Sequence, residues 1–233
     1  MQISHRKSAD RGGRNFGWLN AKHTFSFGDY YDPNHMGFRS LRVINEDIVQ
    51  PGMGFDPHPH RNMEIFTYVI SGALTHQDNL GSIGRLKPGT VQFMSAGKGV
   101  IHSEYNASET EPLHLLQIWI MPEKDGYAPR YEEKAINREE RTNKLMTLLS
   151  PTGKDASIRI GQDAYIYGAI LTSGKTIEYQ TALERGLYIQ VISGDVELGN
   201  VELFSGDGAA IQNTEQIKLE SKNGAEFLLF DLK

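Results

Sequence analysis

The sequence predicts an all-β protein of two sandwich or barrel domains. Three observations carry that expectation. Strand-like runs recur between glycine turns, helix signals are few, and the second half of the chain repeats the pattern of the first. The 24 glycines and 9 prolines in 233 residues suit many short strands joined by turns.

The clear strand runs of the first half are Leu41 to Val49, Met63 to Ile70, Val91 to Met94 and Leu113 to Met121. In the last, His114, Leu116, Ile118 and Ile120 share one face, with Leu115, Gln117 and Trp119 on the other. Both faces are largely apolar, as in a strand inside a sandwich. Gln117 is the exception, a polar side chain facing either a cavity or a neighbouring strand edge. The stretch Met121-Pro122 to Arg130, with Gly126 and Pro129, reads as a linker. It sets the expected division, residues 1–122 and 123–233. Residues 138–149 are open between a short helix, favoured by Glu139, Glu140 and Arg141, and a strand over Leu145 to Leu149.

The repeat is local but consistent. Tyr68-Val69-Ile70-Ser71-Gly72 matches Gln190-Val191-Ile192-Ser193-Gly194, and Leu86-Lys87-Pro88-Gly89 resembles Leu203-Phe204-Ser205-Gly206.

Composition narrows the class. The net charge is −5, and the 24 basic residues form no long run. A direct nucleic-acid surface or a polybasic membrane patch is not expected. No apolar run approaches a membrane span, and Met1 to Lys7 lacks the apolar core of a signal peptide. A cytoplasmic protein fits these features. With no cysteine, disulfides, thiolate metal sites and cysteine nucleophiles are excluded.

The chemistry concentrates in two short stretches, His58-Pro59-His60 and His102-Ser103-Glu104. Residues two apart on a strand point the same way. Each pair can therefore aim into one cavity, and together they offer three imidazoles and a carboxylate, a ligand set for a divalent first-row metal. A lone His in a strand is ordinarily a surface or hydrogen-bonded core residue; the second half-site beside another glycine turn gives the first its weight. The second half carries no such set. At the repeat offsets His58 falls on Gln180, His60 on Ala182, Glu64 on Gly186, His102 on Leu219 and Glu104 on Ser221. A metal is expected in the N-terminal half only.

These residues resemble a known family. Gly52, five residues, His58-Pro59-His60, three residues, Glu64 and Gly72 resemble the first cupin motif, with the last gap one residue longer than usual. Gly89, five residues, Ser95-Ala96-Gly97, His102 and Asn106 resemble the second, with Ser95 in place of the usual proline. The strings His23-Thr24-Phe25-Ser26-Phe27, Tyr30-Tyr31-Asp32-Pro33, Leu41-Arg42-Val43-Ile44-Asn45 and Met94-Ser95-Ala96-Gly97 make the likeness specific to the pirin family of two-domain cupins. It covers residues 11–121 closely and the C-terminal half in pattern only.

The resemblance implies one divalent metal per chain held by His58, His60, His102 and Glu104. Iron is the expected ion, with nickel, copper, cobalt, manganese or zinc as alternatives. Other cupins would use Glu64 as the carboxylate; the pirin pattern favours Glu104 and leaves Glu64 to an ion pair or to orienting a ligand imidazole. Bacterial members resemble quercetin 2,3-dioxygenases, which open the central ring of a flavonol with O2 and release carbon monoxide. A small aromatic substrate and O2 are then the expected partners, with Glu104 as general base. Phe25, Phe27 and Phe55 are candidate walls for a flat substrate, core packing being the competing use of each. Two other readings accompany the resemblance: a redox-responsive regulator acting through a protein partner, and an oxygenase or isomerase for another enolised substrate.

Overall fold

The computed structural model describes residues 1–233, and nearly all of its regular structure is β. Helix is confined to three single-turn 3-10 segments, Ser8–Asp10, Glu139–Arg141 and Lys154–Ala156. The all-β expectation holds. Each of the four strand runs is a strand within a residue or two: Leu41–Val49, Glu64–Ser71, Thr90–Ser95 and Leu113–Ile120. The open stretch 138–149 divides, with a 3-10 turn over Glu139–Arg141 and then strand Met146–Ser150, antiparallel to Ala164–Leu171.

The chain forms two compact units that are not contiguous in sequence. One comprises residues 12–135 and 160–162; the other comprises residues 1–11, 136–159 and 163–233. The expected boundary at 122/123 falls in the loop between strands Leu113–Ile120 and Arg130–Ala135.

The first unit has two antiparallel sheets. The larger runs in the order Arg130–Ala135, Thr90–Ser95, Glu64–Ser71, Leu113–Ile120, Leu41–Val49, Leu19–His23, Gly12–Asn15. The smaller runs Gly54–His60, Val100–Asn106, Leu74–Asp78, Ile83–Leu86. One apolar cluster gathers Leu19, Val49, Val69, Leu74, Leu86, Leu113 and Leu115, and a smaller one Ile65, Met94 and Val100. Between them the larger sheet carries a polar row. Gln92, Thr67, Gln117, Asn45 and His23 stand on five adjacent strands in register. Alternation places them on the same face as Ile65, Val69, Leu115 and Val49.

The second unit repeats the plan. Its main sheet runs Gln2–Arg6, Gly208–Gln212, Gly186–Leu198, Ala225–Leu232, Ala164–Leu171, Met146–Ser150, Ile158–Arg159. Strands Lys175–Gln180, Gln216–Ser221 and Val201–Phe204 complete it by pairing with one another and with the far half of Gly186–Leu198. The sequence repeat is therefore structural. Gly72 and Gly194 end matching strings at φ +82° and +80°, in the left-handed region that glycine adopts without strain.

Candidate metal centre

Strand Val100–Asn106 is the axis of the site. On one side it pairs with Gly54–His60, with His102 opposite His58 and Val100 opposite His60. On the other it pairs with Leu74–Asp78, with His102 opposite Asp78 and Glu104 opposite His76. Alternation buries His102 and Glu104 and leaves Ile101 exposed. A bulge between His102 and Glu104 shifts the register, so Glu104 lies opposite Phe55. Gly54 permits this close approach, since a Cβ there would lie 2.3 Å from the Glu104 carbonyl oxygen. Pro57 and Pro59, which have no N–H to donate, sit on an edge strand of the smaller sheet.

The three expected histidines converge. Ring centroids lie 4.8 Å apart for His58 and His60, 4.5 Å for His58 and His102, and 4.9 Å for His60 and His102. Each can bring one ring nitrogen within 4.8 Å of the others, and His76, His102 and Glu104 form a second such group. The Nδ1–H of His58 donates to the Asp56 carbonyl at 2.8 Å, which leaves its Nε2 as a lone pair. His102 Nε2 is buried with no hydrogen-bond partner. A bare buried acceptor costs about 1–3 kcal/mol, so a group that it ligates is the natural explanation.

Burial holds two of the imidazoles neutral. His60 is depressed to about 4, first by desolvation and then by the charge of His58, with Glu104 opposing. His102 is likewise depressed to about 4, by desolvation and the neighbouring imidazoles against the pull of Glu104. Neutral imidazole is the form that binds a metal. For Glu104, burial pushes the carboxyl up, but His76, His102 and the Gln92 amide outweigh it and hold it below the usual range.

The polar row explains how a buried carboxylate is tolerated. Gln92 Nε2 donates to Glu104 Oε1 at 3.1 Å, and Gln117 Nε2 donates to Oε2 at 2.8 Å. Thr67 Oγ1 donates to Gln117 Oε1 at 2.8 Å and fixes the amide's orientation. Gln117 thus serves the site rather than a strand edge. Glu64 is placed differently. Its Oε1 accepts the Ser95 hydroxyl at 2.6 Å and its Oε2 the Gly161 N–H at 3.0 Å. The departure from proline at 95 thus supplies the donor that satisfies Glu64.

Of the candidate aromatic walls, Phe27 and Phe55 line a cavity of about 470 Å3 with Phe16, Tyr30, His23, Asn45 and Asp47. Phe25 is a buried core residue. Phe55 meets the His58 ring edge-on at 6.5 Å, and Phe27 meets Trp119 at 5.3 Å, which meets His60 at 4.9 Å. The cavity walls are therefore one or two rings from the imidazoles. Sequence reasoning missed His76, Asp78 and Gln92. A signal existed for the first two, since His76 and Asp78 stand two apart on a strand.

Residues 4–120 match the Pirin family model, and residues 147–232 match that of the quercetinase C-terminal cupin domain. The chain is 46% identical to the quercetin 2,3-dioxygenase of Escherichia coli K12 over 97% of each protein. It is also 46% identical to a pirin-like protein of Caulobacter vibrioides, over 97% and 98% of the two chains. The crystal structure of the bacterial pirin YhhW from E. coli, in complex with nickel(II), superimposes with a TM-score of 0.95 at 45% identity, covering 99% of both chains. A quercetin 2,3-dioxygenase from Acinetobacter baumannii, 20% identical, shares the fold with a TM-score of 0.77.

Proposed function

Because this chain belongs to the pirin family, and is an enzyme of the quercetin 2,3-dioxygenase-like type, we propose that it opens the central ring of a flavonol with O2 and releases carbon monoxide. The observation that carries this reading is the convergence of His58, His60 and His102 beside a buried, ionised Glu104. These four residues would hold one divalent ion. Iron is the expected metal; the E. coli relative takes nickel in its crystal structure. Bound there, the ion supplies Lewis-acid stabilisation of the deprotonated substrate oxygen and a route for the electron that O2 must receive.

The protein's share is proton handling and placement. The 3-hydroxyl proton of the flavonol passes to Glu104, the carboxylate grouped with His102. Gln92 and Gln117 keep that carboxylate oriented and ionised before substrate arrives. Phe27 and Phe55 wall the flat ring system, and Asn45, His23 and Asp47 offer hydrogen-bonding groups for its hydroxyls. Desolvation of the site excludes protonation of His60 and His102 at neutral pH.

Oxygen uptake with quercetin tests the reading directly. Protein loaded in turn with iron, nickel, copper, cobalt or manganese should consume O2 only when quercetin is present, and should release carbon monoxide. Absence of quercetin-dependent uptake with every metal would remove the proposal.

A further inference from the structure

We infer that Asp78 and His76 form a hydrogen-bond relay that fixes the tautomer of His102, so that Nε2 of His102 presents a lone pair to the histidine cluster. The relay deepens the metal reading proposed above and takes its purpose from it. Neither residue belongs to the ligand set, and both are buried.

The polarity starts in a turn. Asp78 Oδ1 accepts the backbone N–H groups of Leu80 and Ser82, each at 2.9 Å. The other oxygen, Oδ2, faces His76 Nε2 at 3.3 Å. An ionised carboxylate only accepts, so His76 carries its proton on Nε2. A neutral imidazole protonated there has its lone pair on Nδ1. That Nδ1 lies 3.4 Å from the Nδ1 of His102. Two ring nitrogens in contact share one proton, and the lone pair of His76 assigns it to His102. The Nε2 of His102 is then bare, in agreement with its burial without any partner.

The opposite polarity fails on geometry. A proton moved to His76 Nδ1 would leave the Nε2 lone pair facing Asp78 Oδ2 at 3.3 Å, two acceptors in contact; Glu104 Oε1, at 4.0 Å, is too far to offer that proton a compensating bond. That polarity would also move the His102 proton to Nε2 and point a donor into the cluster. Tyr131, stacked on His76 at 4.6 Å and 28°, fixes the ring plane through which the relay runs. His58 reaches the same tautomer through the Asp56 carbonyl. His102 lies on a central strand whose backbone is engaged on both sides, and uses side chains instead. Outer partners that orient a ligand imidazole typically carry 10- to 100-fold in metal affinity.

Asp78→Asn is the discriminating substitution. The amide keeps an oxygen for Leu80 and Ser82 but turns an NH2 toward His76, which reverses the relay. Long-range 1H–15N correlation spectra of metal-free protein, recorded above the ordinary imidazole range, should show His102 protonated at Nδ1 in the wild type and at Nε2 in Asp78→Asn. Calorimetric titration with nickel(II) should show an affinity loss of roughly 10- to 100-fold in that variant. His76→Gln retains one donor and one acceptor and should keep affinity within a few-fold of wild type, whereas His76→Leu should lose as much as Asp78→Asn. An Nε2-protonated His102 in the wild type would overturn the relay. So would an Asp78→Asn variant with unchanged tautomer and affinity. Should Asp78→Asn not fold, equal losses in His76→Gln and His76→Leu would overturn it as well. A wild-type protein that binds no nickel would defeat the metal reading alone, because the metal-free spectra still decide the relay.

Discussion

In the N-terminal unit, strand Val100–Asn106 buries His102 and Glu104; in the C-terminal unit, strand Gln216–Ser221 carries Leu219 and Ser221 at the corresponding offsets. Leu219 joins an apolar cluster with Ile177, Val196, Leu198, Leu203 and Phe227. Ser221 is fully buried and spends its hydroxyl on the Gly224 N–H at 2.8 Å, a turn contact. One strand plan therefore supports two interiors. The C-terminal interior is apolar around Leu219, where each well-buried Leu or Val contributes about 1.5–3 kcal/mol. The N-terminal interior is interrupted by Gln92, Thr67, Gln117, Asn45 and His23, of which Gln92 and Gln117 donate to the Glu104 carboxylate and Thr67 orients Gln117. The candidate site lies where the core is polar.

The largest effect should come from changing the proposed base while keeping its shape. Glu104→Gln should retain some metal but lose ~10²–10⁴ in turnover per bound ion, since a positioned base contributes that much. Oxygen uptake normalised to metal content checks it, and wild-type turnover per ion would reduce Glu104 to a ligand. The polar row comes next. Gln117→Leu removes the donor to Glu104 Oε2 and should weaken metal binding roughly 10- to 100-fold, measured by titration of metal-free protein.

The reciprocal change sharpens the contrast. Leu219→His places an imidazole in an apolar cluster without a partner. It should lower stability by roughly 1–3 kcal/mol in denaturant unfolding and create no second metal site. A smaller effect concerns pH. His60 and His102 titrate near 4 when folded and near 6.5 when unfolded. Between those values the unfolded chain binds more protons, so stability of the metal-free protein is full above about 6.5 and falls as pH drops toward about 4. His102→Leu should flatten that part of the melting-temperature profile, whereas changes near Leu219 should leave it intact.

Local pattern made the strands legible. The Leu41–Val49 run carries β-branched Val43, Ile44, Ile48 and Val49 among its polar residues, and turn residues flank its ends. The histidines were legible because alternation makes a same-face pair visible within three residues. Glu104 stood out from Glu64 by family resemblance, and in the structure Glu104 groups with His76 and His102 while Glu64 belongs to neither histidine group. Glu64 instead accepts from Ser95 and from Gly161, 97 residues away. The missed residues depend on such distant pairing. His76 and Asp78 look like the outer face of a polar strand until the register sets them beside Glu104 and His102. The same holds for Gln2–Arg6, whose partner Gly208–Gln212 lies at the other end of the chain. Residues 138–149 were ambiguous because helix formers at 139–141 precede a largely apolar run at 145–149 by three residues, and pairing with Ala164–Leu171 decides the latter.

Metal content measured on protein purified without chelator, for the wild type and for His60→Ala, tests the division of labour between the units most directly. The account predicts one ion per wild-type chain and near-complete loss of it when one of three imidazoles is removed. Two ions per wild-type chain, or an occupancy that His60→Ala leaves unchanged, would contradict it.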